Sequence, residues 1–179
     1  MSGLKNIKID GIKLSEELLQ VNVTGVPDPQ KALAGISRMF AENRINMALV
    51  TAACPGSGGH AACCVPVEEH GRVTDLIERD ADLKKYVSIV SPVGLLSLFP
   101  HRSSLKLLGS ALQAFGNAGI PVYGLASSLA PLTFVVDHHR LDAAIGALGE
   151  VFEIPPGIIM RPVIRVVQSS LTKGEDEAR

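Results

Sequence analysis

The chain has no tryptophan, two tyrosines and five phenylalanines. Modules that stack single-stranded RNA bases on exposed rings need aromatics flanked by basic residues, and Phe99 and Phe134 are not so flanked. Charge of one sign is also missing: the formal net charge is -1, which removes the usual electrostatic reason to expect nucleic acid or an anionic membrane as partner. No window approaches the roughly 18 apolar residues of a membrane span, and no basic-then-apolar leader opens the chain. Cysteine is sparse and odd in number, with Cys54, Cys63 and Cys64 forming no secretory disulfide framework. These absences predict a reduced, cytoplasmic protein with neither membrane nor nucleic-acid partner.

What is present is a core. Hydrophobic residues make up 46% of 179 residues and charged ones 20%, enough for one large or two small domains. A pattern also recurs at an interval of 75 residues. In the first copy a strand from Leu19 to Val26 leads to Asp28-Pro29, a helix on Leu33, Ile36 and Phe40, a polar break at Glu42-Asn43-Arg44, and a strand from Ile45 to Thr51. In the second, a strand from Val87 to Phe99 leads to Ser103-Ser104, a helix on Leu108, Ala111 and Phe115, a break at Gly116 to Gly119, and a strand from Ile120 to Ser127. Phe40 matches Phe115 and Ile45 matches Ile120.

A return strand follows in each copy, from Ala61 to Val67 and from Leu132 to Val136, and then a second helix. The first of these starts on Val73, Leu76 and Ile77 and ends near Tyr86; the second carries Leu141, Ile145, Leu148 and Phe152 on one stripe. The order β-α-β-β-α-β, twice, predicts an α/β fold of two ferredoxin-like sandwiches, each with an antiparallel sheet and two helices on one face. The units are expected at residues 7–85 and 86–156, with an extra strand within 157–170 (Pro162 to Ser169) and a polar, disordered tail from 171 to 179. A sheet bare on one face calls for cover by its sister unit or a second chain, so dimerisation is expected.

Ordered segments of this chain resemble the tandem ACT units at the regulatory end of aspartokinases. They are Ile9-Asp10-Gly11-Ile12, the run Val21 to Asp28, Arg44-Ile45-Asn46-Met47, Tyr86 to Val90, Asn117 to Val122, and Thr133 to Asp137. The similarity spans about residues 7 to 155 and includes nothing like the kinase catalytic domain. It implies a regulatory subunit or stand-alone sensor that is not itself an enzyme, needs no cofactor, and binds an amino-acid effector between units. A separate catalytic enzyme chain would be its partner.

Carried over by position, the resemblance puts one site at Asp28, Pro29, Gln30, Lys31 and Ala32 with Asn46, Met47 and Ala48. It puts a second at His101, Arg102, Ser103 and Ser104 with Pro121, Val122 and Tyr123. Helix N-termini suit an effector carboxylate. The family's Pro-Gly before its helix is replaced here by Gln30-Lys31 and Ser104-Leu105, and Ala48 stands where the first unit usually has an acid. An effector-blind dimerisation module is therefore the alternative; an RNA-binding domain of this topology is a poorer one.

Other polar clusters read more simply as structure. Cys63 and Cys64 are adjacent on a strand and point to opposite faces, so Cys54, His60, Cys63 and Cys64 do not make a metal set. The run Pro55 to Gly59 lacks the ending of a phosphate loop and reads as a hairpin. Asp137 is expected to cap the helix that follows it, beside His138 and His139 at its surface.

Overall fold

The computed structural model describes residues 7–53, 59–99, 104–128 and 130–162. The first half holds β1 (Gly11–Leu14), β2 (Leu18–Val26), α1 (Pro29–Glu42), β3 (Leu49–Ala53), β4 (Gly59–Pro66) and α2 (His70–Arg79). The long β5 (Val87–Phe99) leads into the second half, with α3 (Leu105–Asn117), β6 (Gly124–Ser127), β7 (Leu132–Asp137), α4 (Leu141–Val151) and β8 (Ile159–Met160).

All eight strands of the described residues form one sheet, and β5 is its spine. Val93 faces Leu18 of β2 on one edge and Asp137 of β7 on the other. Leu96 likewise faces Leu14 of β1 and Phe134 of β7. β1 and β2 therefore follow one another along the same edge of β5. β4 and then β3 extend the sheet from β2, β6 extends it from β7, and the short β8 lies parallel to β1. The expected α/β class with antiparallel four-stranded units holds, but the two sheets are fused through β5.

One strand lies in the unit opposite to the one expected. The sequence pattern places residues 7–14 in the first unit, yet β1 closes the second by pairing with residues 96–99 of β5. The cause is side-chain burial: Ile9, Ile12 and Leu14 lie in one core with Phe115, Phe134 and Leu148. The chain after α4 then runs outside β1, bonding Ile9 N–H to the Glu153 carbonyl and Ile12 N–H to that of Ile158. The last described strand is Ile159–Met160, earlier than the Pro162 to Ser169 strand expected; residues 163–179 lie outside the described residues.

A bulge in β5 sets the sidedness of the sheet. Gln20 faces Val90 and Leu18 faces Val93, three residues on one strand against two on the other. Alternation is thereby reset, so Ile89 before the bulge and Leu96 after it both face the helices. Ile89 joins the core under α1 and α2, and Leu96 the core under α3 and α4. The other face holds a small cluster of Leu18, Cys64, Val93, Leu95 and Val135 at the seam between the halves. Each large apolar side chain so buried contributes about 1.5–3 kcal/mol. In the second core, Phe115 and Phe134 meet edge to face at 5.1 Å and 86°.

The strands expected to begin at Ile45 and Ile120 begin later, at Leu49 and Gly124. The same device delays both. Ile45 N–H bonds the Phe40 carbonyl and Arg44 N–H that of Ala41; Ile120 N–H bonds Phe115 and Gly119 N–H bonds Gly116. These are Schellman closures, in which the residue after the turn packs back on the last helical turn. Phe40 with Ile45, and Phe115 with Ile120, are those packing pairs.

Candidate functional site

The first candidate set begins at the start of α1. Asp28 Oδ1 accepts from the Lys31 N–H at 2.9 Å, and the Asp28 carbonyl accepts from Ala32 N–H at 3.0 Å. Pro29 has no N–H, so the Gln30 amide is left without an intrahelical partner. Pro29 packs onto β4 at Gly59, where a Cβ would stand 2.2 Å from Pro29 Cγ and 2.7 Å from the Ala53 carbonyl oxygen. Only glycine fits, and this contact anchors the α1 start beside the C-terminal end of β3.

Asn46, Met47 and Ala48 lie at the opposite end of β3. Ala48 N–H bonds the Cys64 carbonyl at 2.8 Å, and Met47 packs against the first core while Asn46 is exposed. The five residues of β3 separate the two groups by about 16 Å at ~3.3 Å per residue. One chain therefore does not bring them together. Ala48 instead borders an open groove of about 330 Å³ shared with Leu18, Pro66, Lys13, Met160 and Arg161.

The second set repeats this geometry. Ser104 Oγ accepts from Leu107 N–H at 3.1 Å and caps α3. His101, Arg102 and Ser103 lie outside the described residues. Pro121, Val122 and Tyr123 lead into β6, with Val122 against the second core and Tyr123 N–H bonded to the Val135 carbonyl at 2.8 Å. The Tyr123 hydroxyl donates to Asp137 Oδ1 at 3.0 Å. That hydrogen bond raises the tyrosine pKa, with smaller contributions from desolvation and from the carboxylate charge.

This bond corrects the expected role of Asp137. Its side chain caps no helix; α4 is entered through the 3-10 turn His138–Arg140, and the carboxylate is engaged across the strand pair. Among the described residues no cluster of His, Cys, Asp or Glu could hold a metal ion. Cys63 and Cys64 are buried on opposite faces, in the first core and the seam cluster. Burial pushes Cys63 up to about 11, and burial with the neighbouring Cys63 pushes Cys64 up to about 12. Cys54 and residues 55–58 lie outside the described residues, and no described helix is long and apolar enough to cross a membrane.

A residue that sequence reasoning passed over lies between the halves. Gln20 on β2 is 2% exposed, and its Nε2 donates to the Tyr123 carbonyl at 3.4 Å. The only signal in the sequence is an amide within the largely apolar run Leu18 to Val23, which Gln20 shares with Asn22.

End strands complete the picture. β3 and β6 terminate the sheet at opposite extremes. At equivalent places in the two repeats they carry Val50 and Leu125, large apolar side chains exposed at 43% and 38%.

No family model matches the chain. An aspartokinase from Bacillus sp. (strain MGA3) is 22% identical over 155 residues, covering 84% of this chain. The chain spans only 38% of the length of that relative. The regulatory subunit of aspartate kinase from Thermus thermophilus, in ligand-free form, superposes with a TM-score of 0.68 at 19% identity, covering 81% of this chain and 99% of that one. The Thermus flavus regulatory subunit gives 0.70 at 18%, covering 80% and 98%. Aspartokinase III of E. coli, in complex with lysine and aspartate, gives 0.60 at 14%, covering 82% of this chain and 34% of that one. From end to end, the described chain has the fold of the aspartate kinase regulatory subunits.

Proposed function

We propose that this chain is an allosteric regulatory module that binds an amino acid between ACT-type units and controls an amino-acid biosynthetic enzyme of the aspartokinase kind. It acts as a regulator and not as the catalyst. The supporting fold likeness is to subunits described as regulatory, and to a kinase solved with lysine bound. The units are residues 7–85 and 86–156, except that β1 closes the second.

The observation that carries the site is the position of the β3 edge between the two groups of candidate residues. An unpaired edge bearing an exposed Val50 invites another strand. Antiparallel pairing of β3 with β3 of a second copy about a two-fold axis puts Asp28 to Ala32 of one copy beside Asn46 to Ala48 of the other. The Gln30 amide and the positive end of α1 then receive the effector carboxylate, and strand carbonyls take its ammonium group. The β6 edge, with Ser104 and Pro121 to Tyr123, repeats the arrangement. An effector that prefers the paired state shifts the population toward it, and so changes the partner enzyme's activity.

The test is a melting curve of the protein against each of the twenty amino acids. A ligand bound only by the folded state raises the melting temperature saturably, and Asp28→Ala should remove the part of that rise that the β3 seam contributes. A saturable rise untouched by Asp28→Ala would remove this site. One observation favours a second reading: Ala48 places no acid on the strand for an ammonium group. With no rise for any amino acid, an effector-blind dimerisation module becomes the better account.

A further inference from the structure

We propose that Gln20 couples the two halves, transmitting a displacement at Tyr123 in the second unit to β2 in the first. The side chain comes from the middle of β2 and crosses to the Tyr123 carbonyl, 103 positions away in sequence. The surrounding seam is apolar: Leu18, Cys64, Val93, Leu95 and Val135, with Val90 and Leu49 at its margin. Among the described residues, Gln20 is the polar side chain buried most completely.

The fit around it is close. A Cβ on Gly124 would stand 3.3 Å from Gln20 Nε2 and 3.1 Å from Val135 Cγ2. The start of β6 thus sits directly on the amide, and Tyr123 is held by backbone, carbonyl and hydroxyl together. The amide is only half engaged, since its one bond is long and Oε1 is buried with no partner among the described residues. A buried acceptor left unmade is unfavourable, so this contact is not at its optimum and responds to small movements of Tyr123. β2 continues directly to Val26 and the Asp28 cap. The two candidate seams are thereby joined by one strand and one side chain, a physical connection whose coupling must be measured to be established.

The regulatory meaning rests on the reading of Tyr123 as part of the second seam. The test needs no effector, so its failure is separate from failure of that reading. Amide hydrogen exchange is followed at residues 18–23 and 121–127 after Tyr123→Phe, which removes the hydroxyl bond to Asp137. The same change is made in a Gln20→Met background, which keeps the volume and removes both donor and orphan acceptor. The expected result is faster exchange at 121–127 in both backgrounds, and severalfold faster exchange at 18–23 only where Gln20 is present. Gly124→Ala, which presses on the amide from the other side, should act in the same way. Equal responses at 18–23 in both backgrounds overturn the proposal, as does no response there to either perturbation.

Discussion

In the first repeat α1 closes through Arg44 at φ 56°, and in the second α3 closes through Gly119 at φ 62°. The backbone bonds around the two turns are the same, and an arginine clasps each helix end. Arg72 donates to the Asn43 carbonyl at 2.6 Å, and Arg140 to the Gly119 carbonyl at 2.7 Å and that of Ala118 at 3.3 Å. The backbone route has been kept while the residue at its left-handed turn differs. Left-handed backbone costs an L residue about 1–2 kcal/mol, so the first half carries a strain that the second avoids. The first half also holds both described cysteines, and the second holds the ring pair Phe115–Phe134.

The largest expected difference between the halves is chemical. At pH 8, thiols raised to about 11 and 12 are ionised at least about 100-fold less than a free thiol near 8.5. Ellman's reagent should therefore titrate at most one of the three cysteines in the native protein and all three in denaturant. The sign for stability follows. Above about pH 9 unfolded thiols lose protons that the folded ones keep, so stability falls from there until the folded thiols ionise near 11 and 12. Rapid native reaction of two or three thiols would break the assignment of Cys63 and Cys64 to packed interiors.

Next come the paired phenylalanines, both fully buried. Phe40→Ala and Phe115→Ala should each lower unfolding stability by about 3–5 kcal/mol. The cost at Phe115 should be greater by about 0.5–1.5 kcal/mol for the lost ring contact. Urea unfolding measures both, and a smaller loss at Phe115 would contradict the comparison. The turn residues sharpen it further. Gly119→Ala should destabilise by about 1–2 kcal/mol through backbone strain alone, as no described atom beyond the adjoining residues lies within 4 Å of the added Cβ. Arg44→Gly should stabilise by up to about 1 kcal/mol, since the relief of strain exceeds the added chain entropy. Changes of equal sign would refute the account of these turns. Smallest are the clasps: Arg72→Ala and Arg140→Ala should each cost roughly 0.5–1 kcal/mol in the same assay, their bonds being solvent-exposed.

Much of the fold was legible because the repeat is local. Asp28 and Ser104 announce helix starts, and Phe40 with Ile45 and Phe115 with Ile120 mark helix ends. Those same pairs misplaced the strand starts, because an apolar residue closing a Schellman turn reads like the first residue of a strand. The placement of β1 in the second half depends on its register with residues 96–99, a long-range pairing that local pattern does not encode. The same holds for Asp137, whose position suits a cap but whose carboxylate is taken by Tyr123, and for Gln20, whose partner is distant in sequence. The candidate site was legible only as two groups of residues; their separation along β3 emerges from the sheet.

That separation is the claim to test most directly. Lys31→Glu, which places an acid at the α1 start, and Ala48→Glu, which crowds the strand, should each abolish binding at the β3 seam of whichever amino acid raises the melting temperature, leaving any binding at the β6 seam. When the two variants are mixed, unfolded and refolded together, half the dimers should be mixed, and each of these should hold one site of unaltered residues. Calorimetric titration should then recover about a quarter of the wild-type capacity of the β3 seam, as expected for a site shared across a two-fold interface. No recovery in a mixture shown to contain mixed dimers would contradict a site built from the loop of one copy and the strand of another.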